Sequence, residues 1–102
     1  MLACNLTGLT ATERTESHAL LERLGAAIVA TDELSDGFAF RLEETRLPLA
    51  ALSRWVDLER RCCPFFHFDI DVSANGGTWL RLTGGAGVKD FIRTAIGRPE
   101  AS

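Results

Sequence analysis

Ser17, Leu20, Leu21, Leu24 and Ile28 recur at three- and four-residue spacing, while Glu13, Arg14, Glu16, Glu22 and Arg23 fall mostly on the other side. That is the pattern of an amphipathic helix laid on a sheet. Thr10-Ala-Thr-Glu13 reads as a capping box, so the helix is expected from about Ala11 to Leu24, with Gly25 supplying a left-handed stop. Ala26–Thr31 and Gly37–Glu43 are short β-compatible runs joined by a segment ending Asp36-Gly37, a pair suited to a turn needing positive φ. In the second run Phe38, Phe40 and Leu42 alternate with Ala39, Arg41 and Glu43, so one face is core and the other wet. Pro48 and Pro64 bracket a second helix whose stripe is Leu49, Leu52, Trp55, Val56, Cys62 and Cys63. A second hairpin, Phe65–Val72 and Thr78–Thr83, turns around Asn75-Gly76-Gly77. It should place Phe66, Phe68, Ile70 and Val72 with Leu80 and Leu82 on the core face, leaving His67, Asp69, Asp71, Trp79, Arg81 and Thr83 opposite. Gly84-Gly-Ala-Gly87 leads into a last helix, Val88–Ile96.

The order α-β-β-α-β-β-α predicts an α+β two-layer sandwich: a four-stranded, largely antiparallel sheet with helices on one face. Which strands join the two hairpins is not encoded locally. With 102 residues the chain is expected to form a single domain spanning 1–102, with residues 1–9 as an N-terminal arm and 98–102 as a loose tail. Eleven basic residues against fourteen acidic give a net charge of −3, and no basic cluster exceeds Arg60-Arg61. Direct nucleic-acid binding is therefore not expected. No uncharged run approaches the ~20 residues that span a bilayer, so no membrane partner is expected either. Three cysteines, two of them adjacent, fit a reducing cytoplasm better than a secreted disulfide scaffold.

The chemistry concentrates in Leu58-Glu59-Arg60-Arg61-Cys62-Cys63-Pro64-Phe65-Phe66. At helical pitch, Leu52, Trp55, Val56, Cys62 and Cys63 all lie within about 60° of Glu59, which puts a carboxylate in the middle of the apolar stripe. Such a group must be protonated, paired or bound to a cation. An internal ion pair with Arg81 or Arg41, or hydrogen bonds to backbone near Pro64, would satisfy it without any functional role. The cysteines likewise have two readings. Either Cys62 and Cys63 are small core hydrophobes, or they join Cys4 as thiolates around a soft ion such as Hg(II), As(III), Cd(II) or Zn(II), with Glu59 or His67 completing the set. Nucleophilic catalysis is disfavoured, because a helix C-terminus and Glu59 both raise a thiol pKa. The Gly84–Gly87 loop lacks the Gly-Lys-Ser/Thr ending of a phosphate cradle and reads as a turn. His18 reads as a surface residue, and Asp69, Asp71 and Arg81 as cross-strand ion pairs. Trp79, a large ring on an otherwise polar face, could anchor a homodimer or a ligand, the homodimer being the preferred account.

Glu59-x-x-Cys62-Cys63-Pro-Phe-Phe-x-Phe68, the hairpin ending Trp79-Leu-x-Leu-Thr-Gly84, and Cys4 near the start resemble a family of small uncharacterised bacterial proteins. They are also similar to the C-terminal extension of some MerR-type heavy-metal-responsive regulators. The likeness runs from Cys4 to about Phe91. It implies an effector-sensing or metal-handling module with Cys4, Glu59, Cys62 and Cys63 as its site. The winged helix-turn-helix of such regulators has no counterpart in this sequence, so DNA binding does not follow. The expected function is a non-enzymatic thiol module binding a soft metal or metalloid. The alternative is a homodimeric ligand-binding or scaffold domain with structural core cysteines.

Overall fold

The computed structural model describes residues 8–75 and 77–96. Along the chain, helix α1 (Ala11–Ala27) is followed by β1 (Ile28–Leu34), β2 (Gly37–Leu42), α2 (Leu49–Cys62), β3 (His67–Ser73), β4 (Gly77–Thr83) and α3 (Val88–Ile96). All strand pairs are antiparallel, in the order β1-β2-β4-β3. The two hairpins thus meet through their second strands. Phe38, Phe40, Leu42, Leu80 and Leu82 fill the inner face under the helices together with Leu20, Leu24, Leu52, Trp55, Leu58, Val88 and Ile92. The outer face carries Arg41, Asp69 and Asp71 in solvent, and Arg81 bridges Asp69 at 3.6 Å and Asp71 at 3.7 Å.

Thr10 caps α1 as its sequence indicates, accepting from Glu13 N at 3.1 Å while its own amide donates to Glu13 Oε1 at 2.9 Å. The expected stop at Gly25 does not occur. The helix runs on to Ala27 and passes directly into β1, because Ala26 and Ala27 favour helix and Ala27 is completely buried there. The Asp36-Gly37 expectation is corrected too. Among the described residues positive φ falls only at Gly77 and Gly87, so Gly37 is not required by its torsion. It is required by proximity: a Cβ at Gly37 would stand 1.9 Å from the Leu82 carbonyl oxygen across the β2–β4 ladder. At the second hairpin, Gly77 (φ 74°) supplies the left-handed residue. β3 starts at His67 rather than Phe65, and Val72, expected in the core, is 51% exposed near the open end of this edge strand. Within the segment expected to be an arm, Leu9 is buried in the core. The tail 98–102 lies outside the described residues.

Two helices clasp each other through charge. Arg61 of α2 donates to Glu13 at 3.0 Å and Arg54 forms a two-point bond with Glu16 at 2.8 and 2.9 Å, both reaching across to α1. Asp57 and Arg60 close the network on α2 itself. This clasp flanks the apolar contact between α1 and α2, whose buried stripes meet in the core. Among the described residues, no helix is long and apolar enough to cross a membrane.

Candidate functional site

The stripe of α2 turns Glu59 inward, as its phase requires, but the partner is not a cation from the sheet. Arg41 and Arg81 stand on the outer face, where Arg81 is committed to Asp69 and Asp71. Instead the hydroxyl of Ser17, itself buried in the stripe of α1, donates to Glu59 Oε2 at 3.1 Å. The ion pair expected for Glu59 is thus replaced by a hydrogen bond to a neutral group. A neutral donor compensates a buried charge only in part, and burial pushes the Glu59 carboxyl above its ordinary range, with the Ser17 bond pulling the other way.

The end of α2 brings sulfur to the same carboxylate. The amide of Cys63 closes the helix by donating to the Glu59 carbonyl at 2.6 Å, and this turn swings the side chain back over Glu59. Cys63 Sγ lies 3.4 Å from Glu59 Oε1 and is completely buried. Cys63 is disulfide-bonded, so in this form its sulfur carries no proton and the 3.4 Å approach is a contact. Only the thiol would make it a hydrogen bond. Cys62, next in the stripe, is a half-buried free thiol. Burial first, then the negative charge of Glu59, raise its pKa, with Arg14 opposing. A thiol held protonated in this way is a poor nucleophile at neutral pH, which agrees with the direction expected of a helix C-terminus.

Aromatic rings wall the site on the sheet side. Phe66 packs against Phe65 (ring centroids 4.8 Å), Phe68 (5.6 Å) and Phe91 (5.7 Å), and Trp55 meets Phe68 edge-on at 6.0 Å. The proline between Cys63 and Phe65 ends α2 and turns the chain so that consecutive aromatics enter this layer.

The structure therefore joins Glu59 and Cys63, sets Cys62 beside them, and adds Ser17, which the reading of the stripes had counted only as a helix-face position. The signal for Ser17 was there: one polar residue in the apolar stripe of each helix, each needing a partner. His67 is exposed at the start of β3, opposite Thr83 on the outer face, and is not brought to the thiols. Cys4 lies outside the described residues. Among the described residues no group of three or more His, Cys, Asp or Glu is arranged to hold a metal. The Gly84–Gly87 loop forms a turn, with Val88 N donating to Gly85 O at 3.2 Å, beside an open depression that also holds Asp36 and Asp90. Lys89 and Arg93 line the same depression, each paired with Glu33, and Arg93 also with Asp90. No protein-family model, curated protein or solved structure matches the chain.

Proposed function

We propose that the protein is a non-enzymatic thiol module of the bacterial cytoplasm that takes up one soft metal or metalloid ion, of the class of Hg(II), Cd(II), As(III) or Zn(II), in its reduced form. One observation supports the reading above the others: the Cys63 sulfur is sealed from solvent, touches the Glu59 carboxylate and is bonded to a second sulfur. Reduction of that bond leaves two sulfurs within easy reach of one ion, since tetrahedral thiolates around zinc sit roughly 3.8 Å apart at ~2.3 Å metal–sulfur distances. The environment that holds Cys62 protonated in the free protein opposes nucleophilic catalysis but not ligation, because a bound ion deprotonates its thiols outright. Resemblance to extensions of heavy-metal-responsive regulators points the same way.

The test is competition between reduced, metal-free protein and a small dithiol for Hg(II) and for Zn(II), with the parent and with Cys4→Ser, Cys62→Ser and Cys63→Ser. Loss of a ligand should weaken binding tenfold or more, each power of ten being ~1.4 kcal/mol. A parent that cannot compete with the dithiol, or three variants that compete as well as the parent, would reject metal uptake.

A second reading attaches to Trp79, whose half-buried ring sits between Arg41 and Asp71 on the outer face. That face carries both signs of charge, Arg41 and Arg81 beside Asp69 and Asp71, so opposite charges of two apposed copies can pair. The β3 edge is less suited: a second β3 running antiparallel would set Asp69 and Asp71 near their own copies. A homodimer of this chain would therefore form face to face through Trp79.

A further inference from the structure

Between α1, α2, α3 and the sheet lies a small, partly open cavity of about 20 Å³, lined by Leu21, Trp55, Glu59, Phe66, Leu82 and Ile92 among others. The remaining lining is aliphatic or aromatic, so Trp55 and Glu59 carry its polar side-chain groups. Trp55 is only 2% exposed, and its indole Nε1–H is buried without an acceptor among the described residues. Glu59 has capacity to spare: Oε2 takes one hydrogen bond from Ser17 and Oε1 faces the Cys63 sulfur, whereas a carboxylate offers about four lone-pair directions. The two residues are four apart on α2, which sets them on one face with Cβ atoms roughly 5–6 Å apart, and both line the same small space. A single water needs only ~10–15 Å³ of such space and at least two polar partners, and a cavity lined by hydrocarbon alone would stay dry.

We propose that this cavity is a hydration site holding one ordered water, which accepts from Trp55 Nε1–H and donates to the Glu59 carboxylate. The water completes the hydrogen bonding of the indole and fixes the carboxylate from the side away from Cys63. The proposal is independent of metal uptake, since it concerns the ion-free protein.

The experiment is water–protein NOE spectroscopy on protein carrying ¹⁵N-labelled tryptophan, with Trp79→Phe used to assign the two indoles. The expected result is a cross-peak between Trp55 Nε1–H and water bearing the sign of a long-lived bound molecule. It should persist in Glu59→Gln, whose amide oxygen still accepts from water, and vanish in Glu59→Leu, which removes the second partner and fills the space. If Glu59→Leu does not fold, the parent and Glu59→Gln decide the matter. Absence of the cross-peak in both, with the indole proton still protected from exchange, would overturn the proposal. So would xenon entering the parent cavity and shifting the methyl resonances of Leu21 and Ile92, because that behaviour belongs to a dry cavity.

Discussion

Replacing Glu59 by Gln separates a desolvated carboxylate from a buried ion pair, because the two situations give opposite signs. Were Glu59 matched to a buried arginine, removing its charge would strand the cation and cost several kcal/mol. Its identified donor is the neutral Ser17 hydroxyl at 3.1 Å, which the Gln amide oxygen can also accept. The substitution keeps the bond and the shape and discards the penalty of burying a charge. Since Glu59 is only partly buried, the gain is scaled down to the order of 1 kcal/mol at neutral pH. For a domain near 100 residues that corresponds to roughly 4–8 °C in Tm, or a shift of about 0.3–1 M in the urea midpoint. The pH dependence follows from the raised pKa. The folded state holds the Glu59 proton more tightly than the unfolded chain, whose carboxyl titrates near 4.5. Stability from this group is therefore fully present below pH 4.5 and is lost as pH rises through the higher folded value. Glu59→Gln has no such loss, so urea curves of reduced, metal-free parent and variant should nearly coincide at the acid end and separate in favour of the variant toward pH 8. A variant less stable than the parent by ~1 kcal/mol or more at pH 7.5 would refute this reasoning and place a cation beside Glu59.

Gly25 lies inside α1 with nothing within 4 Å of a built Cβ, so Gly25→Ala should raise stability by roughly 0.5–1 kcal/mol in thermal melts. Gly37→Ala should do the reverse and cost at least about 3 kcal/mol by urea titration, since the obstructing Leu82 oxygen belongs to a paired backbone that cannot step aside. If the outer face makes a homodimer, sedimentation of the parent should show a concentration-dependent dimer that Trp79→Ala abolishes without changing the far-ultraviolet spectrum.

The elements of the fold were legible because each signal is local. Thr10 and Glu13 mark a helix start, Pro48 and Pro64 bound α2, and alternation through Phe38–Leu42 identifies the inner face of β2. Glycine was misread where one residue type serves two purposes. At Gly25 the alanines that follow outweigh the stop, and at Gly37 the demand comes from a strand 45 positions away, which no local pattern records. Strand order leaves only a faint trace in the sequence: the acidic runs of β1 and β3 suit edges, and the Phe38-Ala39-Phe40 run of β2 suits the centre. At the site, helical phase turns Glu59 and Cys62 toward the interior side, whereas Cys63 reaches it through the non-helical turn that ends α2. The Ser17 partnership is not legible because it depends on how α1 docks against α2, a tertiary arrangement that the pattern of neither helix records.

Glu13 gives that docking a further property. One carboxylate oxygen holds the Thr10 amide at the start of α1, and the other holds Arg61 near the end of α2. Fraying of the first turn of α1 and loosening of the last turn of α2 are thereby coupled, although Glu13 and Arg61 are 48 residues apart in the chain. Their amides should exchange with solvent as one cooperative unit, and because Cys62 and Cys63 sit at the end of that turn, access to the sulfurs is metered by the integrity of a helix to which they do not belong.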